Sequence, residues 1–278
     1  MRYAIKTAPQ MTTWAEMLDV WRAADDIELF ESAWNFDHFE PILGQPRSGP
    51  CLEGWTMLAA MAQATTRIRV GCMVTGNPYR HPAVLANMAA TVDVISGGRL
   101  ELGLGAGWNQ EECDAYGITL PPLRERFDRF DEACEVIVGM LTEEPYSFSG
   151  EHYRLTEAHC EPKPVQRPHP PICIGGSGEK RTLRAVARWA QIWNTPFTTP
   201  DVLTHKREVL AAHCAELGRD PAEITVSSQV FYDPAAGPTA LADGIGELAA
   251  VGMDLAVICL PVPHSASVLG PIAAALIA

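Results

Sequence analysis

ISGGRLELGLGAGWNQEECDAYG, residues 95–117, is the stretch on which the fold turns. An apolar run, Leu100–Leu104, leads straight into the glycine-rich corner Gly103, Leu104, Gly105, Ala106, Gly107, followed by Trp108 and a polar cluster. Glycines at the carboxyl end of a buried strand remove the Cβ and let something approach the backbone closely. Alone, this is a weak dinucleotide-type signal. Its meaning depends on what the rest of the chain repeats.

Working outward, strand and helix signals alternate from end to end. Residues 3–8 read as a strand, and Thr13 with Glu16 has capping-box form ahead of a helix whose one face carries Trp14, Met17, Leu18 and Trp21. Strands at 29–36 and Ile68–Val74 precede helices marked by Trp55, Leu58 and Met61 and by Pro82 at a first helical position. After Leu100–Leu104, the helix over 122–142 spaces Phe127, Phe130, Cys134, Ile137 and Leu141 by threes and fours. Residues 145–171 break the rhythm, with a small hairpin at 146–153 and a proline-rich connector. Alternation resumes with strands at 172–175, 191–195, 224–231 and 255–260 and helices at 179–190, from Thr199 to Gly218, at 239–251 and at 266–277. Eight βα units in 278 residues predict an α/β fold, a (β/α)8 TIM-like barrel occupying 1–278 as a single domain, with an inserted region around 145–171. An open doubly wound sheet is the alternative if two short strands are miscounted.

Composition narrows the function classes. With 47% apolar and 20% charged residues the chain can bury a sizeable core. A formal charge of −13 disfavours nucleic acid or an anionic membrane surface as partner. No apolar run approaches the roughly 20 residues that span a bilayer. The eight cysteines show no ligand spacing, so no metal site is expected, and a reduced cytoplasm is the natural compartment.

Active groups of a barrel sit at the carboxyl ends of its strands, which turns the strand order into a site search. After strand two come Asp37 and His38, where a histidine can exchange protons near neutral pH and an adjacent aspartate can orient it; a turn cap and a loop hydrogen bond would explain them equally. After strand three, Thr75, Gly76 and Asn77 mark either close approach to a ligand or a tight turn. After strand four, Trp108 either covers a planar ligand or packs on the rim. After strand five, Gly175, Gly176, Ser177 and Gly178 offer backbone N–H groups at a helix start, the usual phosphate arrangement, with Lys180, Arg181 and Arg184 nearby. Trp193 and Asn194 end strand six and line the same cavity or belong to the core. Glu111, Glu112 and Asp114 lie at a helix start, where the dipole favours acids, and that reading is preferred to an acid or metal site.

Three blocks in order, WNFDHF (34–39), RIRVGCMVTGNPYRHPAVLANMAATVDVISGGRLELGLGAGW (67–108) and PPICIGGSGEKRTLRAVARWAQIWN (170–194), resemble the luciferase-like monooxygenase superfamily, and within it the branch of oxidoreductases dependent on the deazaflavin coenzyme F420. The resemblance implies that the ring lies across the carboxyl face with His38 against its reactive side and Asp37 beside it. It implies that Cys72, Val74, Thr75 and Gly76 back the ring through a kinked or cis backbone, that Gly105, Ala106 and Gly107 border it, and that Gly175, Gly176, Ser177 and Gly178 receive the phosphate. Sugar-phosphate dehydrogenases of the superfamily carry a glutamate where this chain has Trp108 and a tryptophan where it has Ile42, so that chemistry is not expected. The implied activity is hydride transfer between F420 and a small organic substrate, with loops 39–50 and 145–170 shaping the cavity. The alternatives are an FMN-dependent monooxygenase using reduced flavin and oxygen, and a non-catalytic flavin-binding protein. Family members often dimerise, so a homodimer is a further expectation.

Overall fold

The computed structural model describes residues 1–278. In chain order the elements are β1 (Arg2–Lys6), α1 (Trp14–Asp25), β2 (Phe30–Asn35), α2 (Gly54–Ala64), β3 (Arg69–Cys72), β4 (Thr75–Gly76), α3 (Pro82–Ser96), β5 (Leu100–Gly105), α4 (Gln110–Tyr116), α5 (Leu123–Thr142), β6 (Tyr146–Ser149), β7 (Arg154–Ala158), β8 (Ile172–Gly175), α6 (Thr182–Trp189), β9 (Ile192–Thr195), α7 (Pro200–Leu217), β10 (Thr225–Phe231), α8 (Gly237–Ala250), β11 (Leu255–Cys259) and α9 (Leu269–Leu276). The main sheet runs β3-β2-β1-β11-β10-β9-β8-β5-β4, every pair is parallel, and β3 also pairs with β5. That last pairing closes the sheet into an eight-stranded parallel barrel, with β4 continuing the line of β3. The expected barrel is therefore the observed fold, and the open sheet is not.

Period-2 alternation sorts each strand into two layers. Ala4, Trp34, Cys173, Ile192, Leu255 and Val257 point inward and, with Met73, fill the barrel interior. Their neighbours Ile5, Ala33, Ile172, Trp193, Ala256 and Ile258 point outward into a 55-residue cluster shared with the helices. The same alternation makes Lys6 an inward residue, two positions after Ala4. At α1 the capping box is complete, Thr13 accepting from the Glu16 N–H and Glu16 from the Thr13 N–H.

The inserted region forms a two-stranded antiparallel hairpin, β6 with β7. It extends to Ala158, beyond the 146–153 expected, because residues 150–153 form the turn and the returning strand is Arg154–Ala158. The third strand also departs from its expected course. It stops at Cys72 and resumes as Thr75–Gly76 on the other side of a cis peptide at Met73–Val74. Gly103 makes that departure sterically allowed, since a Cβ there would stand 1.9 Å from the Cys72 carbonyl oxygen. No helix is long and apolar enough to cross a membrane.

Candidate active site

At the carboxyl end of the barrel lies a cavity of about 430 Å³. It collects His38 after β2, Met73, Val74 and Gly76 after β3, and Gly105, Ala106, Gly107 and Trp108 after β5. Gly175, Gly176 and Thr182 join from β8 and α6, Asn194 from β9, and Lys6 and Gln229 from β1 and β10. Ile42, Leu43, Phe127 and Phe197 supply apolar walls. The strand-end rule thus brings most of the expected residues to one place.

Val74 is the centre of the β3–β5–β8 side. A Cβ on Gly105 would approach Val74 Cγ2 to 2.6 Å, and one on Gly175 would lie 2.9 Å from Val74 Cγ1. The glycines therefore do not leave an empty approach path; they make room for Val74, which a ligand then meets as an apolar platform. Gly107, at φ +87°, turns the chain toward Trp108. Trp108 is 59% exposed and its ring lies edge-on to His38, with centroids 5.4 Å apart.

His38 is oriented by Glu112, not by Asp37. Glu112 is buried on α4, and its carboxylate accepts from His38 Nδ1 at 2.8 Å, the Phe39 N–H at 2.6 Å, the Glu40 N–H at 3.2 Å and the Tyr79 hydroxyl. Burial opposes the Glu112 charge, but the hydrogen bonds from His38 and Tyr79 outweigh it and hold the carboxyl below its ordinary value. Burial, and then Glu112 itself, push the Tyr79 phenol up, so it stays a donor. A carboxylate only accepts, so Nδ1 carries a hydrogen and Nε2 is the ring atom left to exchange a proton with the cavity. Such a ring can take a proton and be stabilised as imidazolium by the carboxylate behind it.

Asp37 does not reach the cavity. It is 1% exposed, receives both arms of Arg80 at 2.6 and 2.9 Å and accepts from the Gly76 N–H at 3.1 Å. It ties the β2 and β4 loops together and positions the neighbouring His38 through the backbone only. Trp193 is also outside, because alternation puts 192 and 194 inward and 193 outward. Its indole N–H instead braces the Gly176 carbonyl at 2.7 Å. Cys72 and Thr75 are buried behind the platform, the Thr75 hydroxyl accepting from Trp55 Nε1 at 3.0 Å.

At the expected phosphate loop, Gly175, Gly176 and Thr182 line the cavity, whereas Ser177 and Gly178, on the turn between them, do not. The Gly176 N–H is taken by the Asn194 carbonyl, and residues 177–181 carry N–H groups with no backbone acceptor. Arg181, expected to add charge there, is spent on Asp128 and Asp131. The loop can hold an anion through backbone N–H groups and the Thr182 hydroxyl. The inserted region contributes no lining residue; Tyr153 instead meets Asn77 and His81 behind the rim.

Sequence reasoning missed Glu112, Tyr79, Lys6 and Gln229. The helix-start reading of Glu112 is true as far as it goes, since it is the third residue of α4 and its N–H bonds the capping Asn109. Its carboxylate, however, reaches a loop 74 residues away in sequence, and no local pattern carries that. The alternation Ala4-Ile5-Lys6 could have revealed the inward lysine.

Among known proteins, the chain is 36% identical over 149 residues to an F420-dependent glucose-6-phosphate dehydrogenase of Kineococcus radiotolerans, covering 53% of this chain and 43% of that one. It is 34% identical over 141 residues to an FMNH2-dependent dimethylsulfone monooxygenase of Pseudomonas putida, covering 51% and 38%. The chain spans about half or less of the length of these curated relatives. The solved structure of an F420-dependent secondary alcohol dehydrogenase with an F420–acetone adduct superposes with a TM-score of 0.85 over 98% of each chain, at 17% identity, a likeness of fold. The sequence pattern described as luciferase-like monooxygenase matches residues 2–252, and the chain belongs to that family of enzymes.

Proposed function

We propose that this protein is an oxidoreductase that transfers hydride between coenzyme F420 and a small organic substrate. The observation that carries the reading is the platform of Met73 and Val74, flanked by Gly105 and Gly175, with His38 held by Glu112 beside it. A planar tricyclic ring fits an apolar platform cleared of side chains on both flanks. Its phosphate would be held by the N–H groups at 177–178 and by Thr182. When bound, F420 supplies the hydride chemistry; the chain supplies orientation and electrostatics. His38 holds or releases a proton at Nε2, Glu112 fixes its ring, and Trp108 with the apolar walls excludes water.

The dimethylsulfone monooxygenase relative favours a second reading, reduced FMN with oxygen. A fluorescence titration against both cofactors separates them. F420 binding at least tenfold tighter than FMN supports the first reading; tight FMN binding without F420 binding overturns it. A non-catalytic binder would keep cofactor affinity and any turnover unchanged in His38→Ala, whereas the proposed role requires turnover to fall.

A further inference from the structure

Strand β1 ends in a lysine that nothing in the cofactor reading uses. Lys6 points inward by alternation and lines the cavity. Its amine donates to Gln229 Oε1 at 2.8 Å, and Gln229 Nε2 donates to Asn194 Oδ1 at 2.9 Å. Asn194 Nδ2 then donates to the Ser227 hydroxyl at 3.0 Å, which donates to the Trp193 carbonyl at 2.9 Å. Because a carbonyl can only accept, the chain runs in one direction, and it presents an oxygen, not an N–H, to Lys6. Gln229 therefore takes one amine hydrogen and leaves the others for the cavity.

Lys6 has no carboxylate partner among its hydrogen bonds or ion pairs. The ionisable groups that face it are the thiols of Cys259 on β11, Cys72 on β3 and Cys173 on β8. Burial pushes all three thiols up, so they remain neutral. Burial also pulls the Lys6 amine below its ordinary value. A cation in this position lacks only an anion, and in a chain of net charge −13 it is conspicuous that none was placed beside it.

Topology decides what that anion belongs to. Around the barrel β1 lies four strands from β8 in either direction, diametrically opposite the Gly175 flank of the Val74 platform. His38 follows β2, next to β1. The space between His38 and Lys6 is thus the part of the cavity facing the platform, where a substrate would meet a ring resting on Val74.

We propose that the substrate carries an anionic oxygen group, a carboxylate in the simplest case, which pairs with Lys6, whose amine Gln229 orients. The inference rests on the oxidoreductase reading for the word substrate, but the anion site itself needs no cofactor. It is tested by calorimetric titration with acetate, hexanoate and benzoate against the corresponding amides, with and without F420. Wild type, Lys6→Arg and Lys6→Met are compared, all three first checked for an unchanged far-ultraviolet spectrum. The expected result is a carboxylate preference of at least tenfold for one or more pairs, lost in Lys6→Met, retained in Lys6→Arg, and declining in wild type as pH rises through the lowered value of the amine. If no carboxylate binds better than its amide, or if Lys6→Met keeps the preference, the proposal is overturned. Loss of F420 binding with the preference intact would instead count against the cofactor reading alone.

Discussion

Replacing Glu112 by glutamine tests the cluster that orients His38. The carboxylate accepts four hydrogen bonds, from His38, Tyr79 and two backbone N–H groups. In Glu112→Gln the amide oxygen can keep the Phe39 and Glu40 N–H groups, but its NH2 must face Tyr79 and His38. The phenol can rotate to accept; His38 must offer its Nδ1 lone pair and move the hydrogen to Nε2. Bonds to a charged group contribute about 1.5–3 kcal/mol and neutral ones about 0.5–1.5 kcal/mol. Weakening all four predicts a loss of about 2–4 kcal/mol and a fall in melting temperature of about 3–7 °C for a chain of this size. The fold and the barrel survive, because α4 keeps its cap. Nitrogen-15 spectra of the histidine rings should show Nε2 changing from unprotonated to protonated. The sign with pH is also set. A carboxyl held below its ordinary value stabilises the fold in full above the unfolded value and loses that contribution as pH falls through the lowered one, so wild type and variant should converge in acid. A melting temperature within about 1 °C of wild type at neutral pH, with an unchanged His38 tautomer, would refute the role given to Glu112.

Other substitutions probe separate parts of the structure. Gly103→Ala puts a Cβ 1.9 Å from a backbone oxygen and should destabilise by more than the ~1–3 kcal/mol of ordinary overpacking. Gly244→Ala, in open space within α8, should instead stabilise by about 0.5–1 kcal/mol; denaturant midpoints compare the two. Arg80→Met strands the buried Asp37 and should cost about 3–5 kcal/mol, seen as a large drop in melting temperature. The depressed Lys6 amine makes the fold gain stability as pH rises from its lowered value toward 10.5, so the wild-type increment over Lys6→Met should grow across that window. An increment that stays flat with pH would show that the amine is not desolvated.

Much of this architecture is legible in the sequence, because each βα unit repeats the same two periodicities and its punctuation is local. Thr13 with Glu16, Pro82 and Gly218 mark helix ends that the structure reproduces within a residue or two. The site is legible only where strand-end position suffices, as for His38, Gly105–Trp108, Gly175 and Asn194. The choice between cavity and core for Trp193 needs the structure, because the inward or outward sense of a short strand cannot be told from four residues without a reference strand. Asp37 sits beside His38 in sequence but has its partner, Arg80, 43 residues away. The break at Met73–Val74 entered through resemblance, since the apolar run reads as one uninterrupted strand. Glu112 and Lys6 are easily passed over for opposite reasons. The first satisfies a local rule while serving a distant loop, and the second is a charged residue in an interior layer where the bland expectation is an exposed strand end.

The most direct test of the account is the structure of the protein crystallised with F420. The deazaflavin ring is expected against Val74 between Gly105 and Gly175, with His38 and Lys6 on the open side and the phosphate at residues 177–178. Ring density away from Val74, or a phosphate held elsewhere, would contradict it.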